Sequence, residues 1–153
     1  MKLAQSLALL VATVLTIPSA LANFHVAKGA ATNPDGHRYF VACPSDAYGC
    51  ECLHGLVKGA AIPKTIRDGD IDSLNLPNFF KTSPRNKFCG QDEVDFYRRS
   101  NGNWEFFIHN GNGKAQGTCY PAKKGIRTTC TEGSTKYNFD DQLVCFGALC
   151  GGQ

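Results

Sequence analysis

The 153-residue sequence contains no Gly-x-Ser-x-Gly motif, no Cys-x-x-Cys pair and no Asn-x-Ser/Thr acceptor. The first absence removes the nucleophile-elbow hydrolases, and no Ser, His and Asp trio can be assembled from the spacing. The second removes the paired thiolates that hold a structural zinc ion. The third predicts that N-linked glycan is absent. No window of helical length carries apolar residues at a 3.6-residue period, so little helix is expected. Basic residues are also sparse in clusters: Lys and Arg number 16 against 13 Asp and Glu, and the only compact groups are Arg98-Arg99 and Lys123-Lys124. A chain that tracks a nucleic-acid backbone needs more than that, so both pairs read as solvated surface and no nucleic-acid partner is expected.

Long apolar runs are limited to one, Leu7 to Ile17, which follows Lys2 and precedes the small residues Ala20 and Ala22. That order is the order of a secretory signal, with cleavage after Ala22. The run is shorter than the roughly 20 apolar residues needed to cross a bilayer, and Pro18 follows it instead of a basic stop-transfer cluster. The ending Cys150-Gly151-Gly152-Gln153 has no hydrophobic tail for lipid attachment. The expected organisation is therefore a signal over residues 1–22 and one extracellular domain over residues 23–153, with no membrane span. Loss of Lys2 with the signal leaves 15 basic against 13 acidic side chains, a charge near +2.

What the chain does have is cysteine. Cys43, Cys50, Cys52, Cys89, Cys119, Cys130, Cys145 and Cys150 all lie after the signal. An even number in a short exported chain implies oxidation to disulfides, here four bridges drawn from 105 possible pairings. Cys50 and Cys52, placed in a strand, would sit about 7 Å apart, beyond the usual bridging range, so each is expected to have a distant partner. The same compartment argues against zinc at Cys50-Glu51-Cys52-Leu53-His54.

Short aromatic and β-branched runs separated by Asn-Gly and Gly-rich punctuation make up most of the rest. Asp95 to Ser100, then Asn101-Gly102, then Asn103 to His109 reads as a β-hairpin with a two-residue type I′ turn. That register puts Arg98 opposite Glu105, Phe96 opposite Phe107 and Tyr97 opposite Phe106. Alternation sends Trp104, Phe106 and Ile108 to the core face, and Glu105, Phe107 and His109 to the other. Further extended segments are expected at Phe24–Ala27, His37–Cys43, Leu56–Ala60, Ala115–Tyr120, Ile126–Thr131 and Gln142–Phe146. The predicted fold class is all-β: a small antiparallel barrel or sandwich, cross-linked by disulfides, because closure disposes of exposed sheet edges.

Residues 63–94 differ, with Pro63, Pro77 and Pro84 and many Asp, Asn and Ser. They read as one long irregular connection whose Leu74, Leu76, Phe79 and Phe80 fold back onto the core or form a contact surface, with Cys89 pinning the far end. Within it, Asp68-Gly69-Asp70-Ile71-Asp72-Ser73 opens like a calcium loop. The pattern then fails, since the sixth position is Ser73 and the twelfth Phe79 where Gly and Glu are needed. It reads as a solvated acidic turn, and neither a metal nor another cofactor is expected.

One arrangement has the composition of a catalytic site. Glu105, His109 and Arg98 combine a carboxylate, an imidazole and a guanidinium, groups that divide acid, base and phosphate-stabilising roles in secreted ribonucleases, and His37 and Tyr39 would join them only if the strand order allowed. An Arg opposite a Glu is also an ordinary cross-strand ion pair. The third class weighed is carbohydrate binding on an aromatic platform, for which Trp104 is the obvious residue, but alternation assigns it to the core.

The signal, the eight cysteines and segments such as Asn23-Phe24-His25-Val26-Ala27 and Tyr48-Gly49-Cys50-Glu51-Cys52 resemble small cysteine-rich proteins secreted by plant-pathogenic fungi. The chain looks most like the hypersensitive-response-inducing elicitors of the rice blast fungus. The resemblance implies a protein that triggers plant cell death and defence by contact with a host protein or cell-surface component, and it carries over no catalytic residues. The expectation is thus a monomeric effector that binds rather than an enzyme, with Phe79, Phe80, Asn110 and Asn112 on the interaction surface.

Overall fold

A computed structural model describes residues 23–31, 38–53, 76–83, 87–124 and 127–150. The segment expected to be a signal, the strand expected at Leu56–Ala60, the turn expected at Asp68–Ser73, and Leu74, His37 and His54 lie outside the described residues.

Among the described residues, eight strands, β1 (Phe24–Ala31), β2 (Arg38–Pro44), β3 (Phe79–Lys81), β4 (Val94–Arg98), β5 (Trp104–Ile108), β6 (Ala115–Pro121), β7 (Arg127–Glu132) and β8 (Thr135–Gly147), form one antiparallel sheet. Its path is β2-β1-β8-β6-β5-β4-β3, curved into a half-barrel. The expected all-β, disulfide-linked class is what the chain adopts. β8, 13 residues long, organises the sheet. One of its edges pairs with β1, and the other is shared end to end by β7 at residues 135–140 and β6 at residues 143–147. The only α-helix among the described residues is the single turn α1 (Cys50–Leu53).

Alternation decides what each strand buries. Phe24 and Val26 of β1, Phe40 and Ala42 of β2, Val94 and Phe96 of β4, and Trp104 and Phe106 of β5 point inward. Phe24 is the hub, meeting Phe88, Phe96 and Phe106 edge to face with ring centroids 5.0, 6.1 and 5.1 Å apart. Edge-to-face packing places the positive ring edge on a neighbour's negative face, which adds to the burial itself. β1 and β2 are covered on their second face as well. There Ala27, Val41, Cys43 and Phe139 pack with Cys52 and Leu53 of α1.

Four disulfides join Cys43–Cys52, Cys50–Cys130, Cys89–Cys150 and Cys119–Cys145, and no cysteine is left free. Cys50 and Cys52 do not bridge to each other, as spacing predicts, although they stand on α1 and not on a strand, and Cys52 finds its partner only nine residues away. Both cysteines are bridged, the disulfide state expected of them in preference to zinc ligation.

Two expectations are corrected. The hairpin of β4 and β5 pairs Phe96 with Phe106, Tyr97 with Glu105 and Arg98 with Trp104, one residue out from the predicted register. The turn is longer than two residues: Arg99 N–H donates to Asn103 O, Gly102 N–H donates to Arg99 O, and only Gly102 has positive φ, at 87°. A three-residue loop of this kind, a type I turn closed by a left-handed glycine, uses the same Asn-Gly letters as the two-residue turn. The second correction is Phe80. It is the inward residue of β3, fully buried and stacked on Phe96 with centroids 4.4 Å apart, so it cannot belong to an interaction surface.

Candidate functional site

The register that buries Phe80, Phe96 and Phe106 sends their sequence neighbours to the outer face of β3, β4 and β5. Lys81 lies opposite Asp95, and Asp95 opposite Phe107; Phe79 lies opposite Tyr97, and Tyr97 opposite Glu105. Glu93, just before β4, meets His109, just after β5, through a backbone bond from His109 N–H to Glu93 O of 3.1 Å. The result is a face graded from a carboxylate, imidazole and ammonium end, through aromatics, to Arg99.

At the polar end, His109 Nδ1 lies 2.9 Å from Asp95 Oδ2 and His109 Nε2 lies 4.0 Å from Glu93 Oε2, while Lys81 Nζ is 2.5 Å from Glu93 Oε1. The hydrogen bond to Glu93, then its charge and that of Asp95, hold the Lys81 ammonium above its usual pKa. Asp95 is 9% exposed although it points outward. Its second oxygen, Oδ1, is buried and has no hydrogen-bond partner. An unsatisfied carboxylate oxygen in that setting is costly, which marks the cluster as unusual.

In the middle of the face, Tyr97 packs on Phe79 at 4.8 Å and against Phe107 at 5.7 Å between ring centroids. The Arg99 guanidinium sits 5.8 Å over the Phe107 ring and is ion-paired to Glu105. Phe79 and Tyr97 are 39% and 41% exposed, which makes them two of the three exposed large hydrophobic side chains among the described residues. Beside them an open depression of about 390 Å³ is lined by Asp95, Tyr97, Arg99, Phe107 and Asn110, among others.

The sequence-derived catalytic set is dispersed. Arg98 lies 5.0 Å over the Trp104 ring, and Glu105 is held by Arg99. Glu105 and His109 do share a face, but four residues along an extended chain separate them by about 13 Å. His109 belongs with Asp95 and Glu93. Of the proposed contact residues, Phe79, Asn110 and Asn112 are exposed, and Asn110 takes a positive φ of 56° at the turn. Trp104 is buried, as alternation requires, with Nε1–H 3.4 Å from Pro77 O.

A second polar cluster was missed altogether. His25 Nδ1 lies 3.0 Å from Asp141 Oδ2, and the Tyr48 hydroxyl donates to Asp141 Oδ1 at 2.5 Å. Asp141 reaches them because β8 carries a bulge. Leu143 is paired with Val26 but Asp141 with Ala27, so Gln142 is the extra residue and Asp141 turns to the face that His25 occupies. Burial, and then the bond to and charge of Asp141, push the Tyr48 hydroxyl well above the usual tyrosine pKa.

No helix among the described residues is long and apolar enough to cross a membrane. Compared with protein families, with curated proteins and with solved structures, the chain matches none.

Proposed function

We propose that this chain is a secreted effector or elicitor, of the kind its cysteine-rich and signal-led sequence resembles. It acts by presenting the outer face of β3, β4 and β5 to a protein or other component of the plant cell surface. The observation that carries the reading is the row Phe79–Tyr97–Phe107, two of whose rings are more than a third exposed on a sheet that could have turned polar residues outward. Contiguous exposed aromatics flanked by charges mark contact sites, and aromatic and Arg side chains dominate binding energy there. Four disulfides suit the role, since a surface fixed in advance loses little entropy on binding.

The test is the double variant Phe79→Ser/Tyr97→Ser, infiltrated into leaves across a dose series. Both side chains point outward, so the circular dichroism spectrum should match that of the wild type. The dose needed for cell death should rise at least about tenfold, the effect of losing one interface hot spot. An unchanged dose response would sink the reading, as would rapid RNA cleavage by the pure wild-type protein.

A further inference from the structure

We propose that Glu93, Asp95 and His109 form a binding site for one divalent transition-metal ion. The proposal is independent of the aromatic reading above. Each residue offers a ligand atom, and the three atoms lie within 4.8 Å of one another. His109 Nδ1 and Asp95 Oδ2, 2.9 Å apart, already have the separation of two ligands at a right angle on an ion with bonds of about 2.1 Å, as in octahedral coordination. The ion takes the place of the proton between them, and Glu93, within 4.8 Å of the other two, closes in as the third ligand while Lys81 remains on its other oxygen.

Two further observations point to a cation. Asp95 Oδ1 is a buried carboxylate oxygen with no hydrogen-bond partner, and coordination by both oxygens of Asp95 would satisfy it. The cluster also brings two carboxylates together beside Lys81 in a setting where Glu93 and Asp95 side chains are only 11% and 12% exposed. Carboxylates held close together with little solvent attract a cation. The donor set chooses which one. An imidazole nitrogen with carboxylate oxygens suits zinc, cobalt, nickel or manganese, whereas calcium and magnesium take oxygen ligands alone. Asp95 lines the open depression, so positions not taken by protein face an accessible space.

The probe is zinc chloride, titrated calorimetrically into the intact, oxidised protein after chelator treatment. Thiolates cannot contribute, because all eight cysteines are in disulfides. One ion per chain is expected, with binding weakened at least about tenfold in His109→Ala and in Glu93→Gln and unchanged in His25→Ala. The His109 side chain is one-third exposed, so its removal should leave the fold intact; the spectrum of each variant checks this. Asp95→Asn is the harsher change, and Glu93→Gln decides the matter should it not fold. Absence of binding at millimolar zinc, or binding equal in His109→Ala and Glu93→Gln to that of the wild type, would overturn the proposal.

Discussion

Tyr48 shows at the scale of one residue how a bulge becomes a titration effect. Its hydroxyl proton is held by burial and by Asp141, so the folded-state pKa lies above the unfolded value of 10.0. Below pH 10 both states keep the proton and the hydrogen bond contributes fully. Above it the unfolded chain loses the proton while the folded chain keeps it, so the unfolded state gains and stability falls with rising pH. One such group gives a slope of about 1.4 kcal/mol per pH unit. Tyr48→Phe should cost about 1.5–3 kcal/mol at neutral pH, the worth of a bond to a charged acceptor, and should remove this share of the alkaline loss. Urea unfolding of both proteins at pH 7 and pH 11 measures it, and equal slopes above pH 10 would contradict the assignment. Nothing in the sequence pointed to Tyr48, because its partner Asp141 is 93 residues away and reaches it only through the extra residue in β8.

Elements were legible where side-chain alternation carries the information and illegible where backbone geometry does. Alternation correctly separated Trp104 and Phe106 from Glu105 and Phe107 because burial enforces a period of two. The register of the same hairpin was missed, since Asn-Gly serves both a two-residue and a three-residue loop, and a shift of one moved Arg98 from Glu105 to Trp104. The close approach of β6 and β8 was equally hidden. Gly117 and Gly147 stand opposite each other, and a Cβ on Gly117 would meet Phe146 O at 2.1 Å and the Phe106 ring at 2.6 Å. Gly117→Ala must push backbone apart and should cost about 3 kcal/mol, the upper range for overpacking. Gly102 is limited only by its φ of 87°, with nothing within 4 Å of an added Cβ. Gly102→Ala should cost about 1–2 kcal/mol, the ordinary penalty of a left-handed L-residue. Denaturation midpoints converted at a common m-value rank the two, and a larger loss at Gly102 would refute the close-approach argument.

Across the whole molecule the cysteine count announced covalent cross-linking, but the pairing depended on which distant strands meet. Cys119 and Cys145 are bridged because β6 and β8 place them opposite each other, and Cys89 reaches Cys150 because the end of the long connection packs beside the turn after β8. Residues 63–94 were expected to be irregular, yet their described part supplies β3 and, through Leu76, Phe80 and Phe88, a side of the core. The Cys89–Cys150 bridge closes a span of 61 residues and ties that segment to the turn after β8, whereas Cys43–Cys52 spans nine. Chain entropy then ranks them: removing the longer closure frees more of the unfolded ensemble, about 4 kcal/mol against about 2.6. The doubly substituted Cys89→Ser/Cys150→Ser protein should therefore unfold at lower urea than Cys43→Ser/Cys52→Ser. It should also expose Phe80 and Phe88 earliest, read as amide exchange in β3 outpacing that in β1. Such a protein would lose its outer aromatic face, which β3 and β4 build together, before the β1–β8 pairing gives way. Exchange in β3 as slow as in β1 after loss of that bridge would show that the segment is held by its apolar contacts alone.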